Sequence, residues 1–228
     1  MTVRRTVTEA AGTSRVGRLC DFGWGRPRLG DREHCEEARR SDEERIGAHH
    51  RHQQARPSTM ILSKDRDPRL ITVRRGGTLT DDDHRLLALW AADCAEHALP
   101  LFEAAVVDDR RPRDAIAAAR AWASGEMPMM TARALGGHAM GAARPLTGAP
   151  RFAAYAAGQA ACVGHVAEHD LGAAAYAIKA VAAAAPNDPA AGSKEREWQR
   201  SRLPVAVRDL VLEDQERRNA LCWGVFSD

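Results

Sequence analysis

Residues 80 to 101 join a helix start signal to an apolar stripe, and no other stretch of the chain constrains its fold as strongly. Thr80, with Asp83 three residues later, forms a capping box, and Asp81, Asp82 and Asp83 place three carboxylates at the positive end of the helix dipole. Leu87, Trp90, Cys94, His97 and Leu101 then recur at steps of three and four, so one face of this helix turns toward a core. Pro100 marks a kink or an end. Upstream, Leu70 to Val73 is a short β-branched run that Gly76 and Gly77 terminate.

Helical patterning continues to the C-terminus. The periodicity predicts helices at 80–99, 112–124, 129–143, 151–168, 170–185, 193–202 and 205–218. Pro112 and Pro204 suit first-turn positions, whereas Pro145, Pro150, Pro186 and Pro189 punctuate loops. The expected fold is therefore all-α, a single-domain helical bundle or short helical solenoid. Aromatic residues make up only 5% of the chain and alanine supplies much of the apolar content, which predicts closely approaching helices around few large anchors. Those anchors are Trp90, Phe102, Trp122, Tyr155, Tyr176, Trp198 and Trp223.

Residues 1–59 are a different material, rich in arginine, glycine and acidic residues and without periodicity. They read as a disordered extension or as an upstream extension of the reading frame, with Met60 the natural start of a helical domain over 60–228. Mixed charges dilute any basic field there. A net charge of +2, with the part after residue 59 close to neutral, argues against a nucleic-acid partner in any case. The five cysteines, Cys20, Cys35, Cys94, Cys162 and Cys222, are widely spaced and include no CxxC, which favours a reducing cytoplasm over a disulfide framework. The most apolar run, 171–185, is short and interrupted by Lys179, so no membrane span is expected.

The stretch LITVRRGGTLTDDDHRLLALWAADCAEHALPLF (70–102) resembles the opening of the bacterial putative immunity proteins, small α-helical proteins associated with polymorphic toxin systems. The likeness continues through RPRDAIAAARAWASGE (111–126), GHVAEHDLGAAAYAIKA (164–180) and REWQRSRLPVAVRDLVLEDQ (196–215). The resemblance implies a non-enzymatic protein without a cofactor that binds and neutralises a cognate toxin, and it assigns no chemistry to any residue.

Read for chemistry, the sharpest pattern is His165, Glu168 and His169, which matches the H-x-x-E-H order of inverted zinc peptidases. On one helix, two histidines four residues apart could reach a common zinc ion. Asp93 and His97 are also one turn apart, and packing of their helix on the second pair would assemble a four-ligand site from Asp93, His97, His165 and His169. A small metal-dependent hydrolase using His97, His165 and His169, with His84 and His138 nearby, is the alternative reading. The bland reading is a set of half-buried imidazoles oriented by carboxylates. Cys94, Cys162 and Cys222 lie in apolar surroundings that suppress thiolate formation, and no GxSxG, P-loop or GxGxxG is present. Gly136 and Gly137 point to a flexible or kinked helix segment. Asp81, Asp82 and Asp83 serve first as a helix-terminal charge cluster. Exposed, they would also suit the basic surface of a toxin, and Asp108 and Asp109 could extend that patch.

Overall fold

The capping box at Thr80 forms as its spacing predicts. In the computed structural model, which describes residues 65–227, the Thr80 hydroxyl accepts from the backbone N–H of Asp83 at 3.1 Å and donates to its carboxylate at 2.7 Å. Helix α1 (Asp81–Glu103) follows. It runs through Pro100 rather than stopping there, because buried Leu99 and Phe102 hold the last turn to the core while the proline ring faces outward. The extension over 1–59, its proposed boundary at Met60, and Cys20 and Cys35 lie outside the described residues.

Six further helices follow: α2 (Arg111–Ala123), α3 (Met129–Ala143), α4 (Gly148–Cys162), α5 (His169–Ala184), α6 (Ala191–Ser201) and α7 (Arg208–Arg218). Among the described residues there is no strand. The β-branched run at Leu70 to Val73 makes two 3-10 turns, Pro68–Leu70 and Val73–Arg75, and a single bridge between Thr72 and Leu79. The all-α expectation holds, and helix neighbours decide between its two forms. Helix α1 packs on α2, α4 and α5, while α4 packs on α1, α2, α3 and α5. A solenoid would confine each element to its neighbours in sequence, so this is a bundle.

Alanine and glycine set its dimensions. The buried face of α4 is Ala153, Ala154, Ala156, Ala157, Gly158, Ala160, Ala161 and Cys162, and α5 is buried continuously from Asp170 to Ile178. Each side chain removes little area from water, but many of them do so with their backbones close together. Gly136 is not a kink: it lies within α3, where a Cβ would stand 2.7 Å from the carbonyl oxygen of Gly158.

Of the expected aromatic anchors, Trp90 and Phe102 are wholly buried, and the Trp90 indole donates to the carbonyl of Gln199 at 2.9 Å, tying α1 to α6. Tyr176 is buried, whereas Trp122, Tyr155 and Trp198 are half-buried. Trp223 is a correction: it lies in the turns after α7 and is 39% exposed.

Candidate functional site

Helix α4 ends at Cys162, six residues before the periodicity suggested, and the chain crosses to α5 through a polar turn at 163–168. Gly164 lies against the Trp122 ring, where a Cβ would meet the indole at 2.6 Å. The turn is held by 3-10 type bonds from His165 to Cys162 (3.0 Å) and from His169 to Val166 (3.1 Å). His84 on α1 donates from Nε2 to the carbonyl of Val163 at 2.7 Å, pairing an acceptor just past the last turn of α4. Burial holds the His84 imidazole below its ordinary pKa, hence neutral.

Glu168 is buried in this turn, and Arg66 grips its carboxylate with both arms, from Nε at 2.7 Å and Nη2 at 2.5 Å. Behind it, Arg218 of α7 is fully buried. It donates to both carboxylate oxygens of Asp214 and to the backbone carbonyl of Glu168 (2.9 Å), and it reaches Asp170 at 3.4 Å. Burial raises the Asp170 acid and Arg218 opposes it, so this network spends charge on docking α7 against the start of α5. A cavity of about 240 Å³ opens beside the turn, walled by Arg66, Arg74, Arg75, His84, Trp122 and Gly164. It offers a partner guanidinium donors and an indole edge.

The H-x-x-E-H residues are not arranged along one helix. His165 lies in the turn and His169 is the first residue of α5, so the two imidazoles do not share a helix face. Glu168 is committed to Arg66. His169 donates from Nδ1 to the side-chain oxygen of Gln159 at 2.6 Å and, chiefly through burial, is pushed down to about 4. Burial and the cations Arg133, Arg75 and Arg66 also lower His165, and the same positive field opposes a dication.

The four-ligand site does not assemble either. Asp93 pairs with Arg120 at 2.9 Å, and His97 meets the buried carboxylate of Glu195 at 2.7 Å while stacking on Trp198 with ring centres 3.8 Å apart. His97 is 13 residues beyond His84 along α1, roughly 20 Å at the helical rise. The core stripe passes it by, running through Cys94, Ala98 and Phe102. Among the described residues no group of three or more His, Cys, Asp and Glu side chains is placed to hold a metal ion. His138 is exposed on α3. Burial raises the thiols of Cys94 and Cys162 and pushes Cys222 up to about 12.

The acidic residues separate into two groups. Asp81 pairs with Arg74, Asp82 leans on Arg85 at 3.3 Å, and Asp83 completes the cap. Asp109 is gripped by Arg111, which lowers its carboxyl, and Asp108 is exposed. The first group opens α1 and the second lies past its C-terminal end, so the length of that helix, about 33 Å, separates them. The buried network of Asp170, Asp214 and Arg218, and the part-exposed Arg66 that closes on Glu168, were not singled out from sequence. Their one local signal was the Asp214 and Arg218 spacing of one helical turn.

The fold and this turn define an all-helical bundle with an alanine-rich core and a buried charged network that ties α7 to the start of α5. The family model for Imm-5 like putative immunity proteins matches residues 77–206, from Gly77 through α6, and the chain belongs to that family. No curated protein and no solved structure matches it.

Proposed function

We propose that this chain is an immunity-like protein that binds a cognate bacterial toxin in the cytoplasm and neutralises it without catalysis. The observation that carries the reading is the family match, which covers more than half of the chain. The buried clasps support it, since a rigid helical face can occlude an active site at small entropic cost. Among the described residues no helix is long and apolar enough to cross a membrane.

Asp81, Asp82 and Asp83 form the first candidate contact, with Asp108 and Asp109 at the far end of α1. Charge complementarity to a basic toxin would speed encounter and select the partner. An interface using both groups would run the length of α1, a span suited to a standard-sized contact.

The test is co-expression with the toxin encoded beside this chain. Growth rescue together with a stable complex of the two unmodified proteins supports the reading. Rescue without a detectable complex would sink it. Replacing Asp81, Asp82 and Asp83 together by serine should slow association and flatten its salt dependence, while serine retains part of the capping.

A further inference from the structure

The C-terminal turns display Trp223 in a backbone conformation that a bulky side chain rarely adopts. Its φ of 60° is the one positive value for a non-glycine residue among the described residues, and Gly224 follows at 73°. The turn is pinned from both sides: Cys222 and Phe226 are buried, Gly224 donates to the carbonyl of Asn219 at 2.8 Å, and Phe226 donates to the Asn219 side chain at 3.0 Å. Between these pins the indole is held over Lys179 of α5, its centroid 3.8 Å from Nζ. An unusual backbone kept to display an exposed aromatic ring points to use of that ring.

Lys179 is caught between Trp223 and Phe152, whose ring lies 4.7 Å away. Tyr155 and Tyr176 stack beside them at 5.1 Å, and the Arg151 guanidinium sits 5.4 Å over Tyr155. These rings wall a basin of about 420 Å³ that also takes in Arg144 at the end of α3. No carboxylate lines it, and no carboxylate among the described residues pairs with Lys179, Arg151 or Arg144. Two arginines elsewhere do lie against acids, Arg113 with Glu103 and Arg120 with Asp93 and Glu96. Three cations facing one aromatic-walled basin leave positive charge for a ligand to neutralise, and burial already disfavours the charge on Lys179.

We propose that this basin binds a small planar anion, an aromatic or heteroaromatic ring bearing a phosphate or carboxylate. The ring packs on the aromatic wall of Trp223 and Tyr155 while the anion meets Lys179, Arg151 and Arg144. The volume is in the range of small-molecule sites, and polar groups converging on an aromatic lining are their usual chemistry.

Calorimetric titration of the full chain at low salt tests it with four probes: adenosine 5′-monophosphate, 4-hydroxybenzoate, adenosine and inorganic phosphate. Saturable one-to-one binding of at least one of the first two is expected. Adenosine and inorganic phosphate, each lacking one half of the chemistry, should bind at least about tenfold more weakly, the scale of one charge-assisted contact. Lys179→Met should weaken the best probe by a similar factor. Arg144→Gln, at a surface position with no polar partner to lose, should weaken it with the melting temperature unchanged. Trp223→Gly suits the left-handed backbone and should abolish binding while the cooperative melt persists. Failure of both ring-bearing anions to saturate, adenosine binding as tightly as its monophosphate, or wild-type affinity in Lys179→Met and Arg144→Gln would overturn the proposal.

Discussion

Gly136 and Gly158 face each other where α3 crosses α4, so close that a Cβ on Gly158 would stand 2.8 Å from the Gly136 carbonyl oxygen and 2.5 Å from Met140 Cγ. Gly158→Ala therefore sets a gain in helix propensity against a backbone clash, and the clash decides the sign because a carbonyl cannot rotate away. The expected loss is about 1–3 kcal/mol in thermal or urea denaturation. Gly137→Ala, one residue along with open space around its Cβ, should instead stabilise by about 0.5–1 kcal/mol. Equal effects from the two changes would show that the crossing can open.

Trp90→Ala should cost about 3–5 kcal/mol through lost burial and the cavity left behind. Trp90→Phe keeps most of the volume and loses only the indole bond to the Gln199 carbonyl, which still accepts from the Arg202 N–H at 3.1 Å, so it should cost less. An unchanged melting temperature in the alanine variant would place this ring outside the core.

Arg218→Met should destabilise by about 3–5 kcal/mol, because it leaves Asp170 and Asp214 buried without their shared cation. Adding Asp170→Asn and Asp214→Asn should recover part of that loss. If the triple variant is no more stable than the single one, Arg218 contributes through packing rather than through charge.

The pH dependence turns on His169. Its folded-state pKa is depressed to about 4, by burial first and then by the charges of His165, Arg218 and Arg133, with Glu168 opposing. The unfolded chain takes up the proton near pH 6.5, so the stabilisation from His169 is full above about 6.5 and is lost as pH falls toward about 4. The amount is on the order of 3 kcal/mol. Asp170, whose acid is raised, acts in the opposite sense as pH rises. The informative quantity is thus the difference between wild type and His169→Gln, which should lose stability less steeply on acidification. Parallel pH profiles for the two proteins would contradict the assignment.

A chain beginning at Met60 should keep a cooperative melt with helical circular dichroism, since the buried residues described here start at Leu70. Loss of cooperativity on that truncation would show that the preceding residues contribute to the fold.

Helix α1 was legible almost to the atom from Thr80 and Asp83, because capping is a local exchange between residues three apart that no distant contact needs to complete. Alanine content announced close helix packing for a similar reason, since small side chains bury area only when backbones approach. The end of α4 was not legible. Gly164, just past that end, has to be glycine because the Trp122 ring occupies the space a Cβ would need, and Trp122 is 42 positions away in the chain. The same limit applies to the polar residues. Spacing put His165 and His169 on one helix face and His97 on a core stripe, yet Gln159, Glu195 and Trp198 settle their roles from other elements. Lys179 read as an interruption of an alanine run, and only the fold places it under Trp223. Helix propensity and capping act within a turn or two of chain and can be read in order. Ion pairs, ring contacts and close approaches join residues that only the packed bundle makes neighbours.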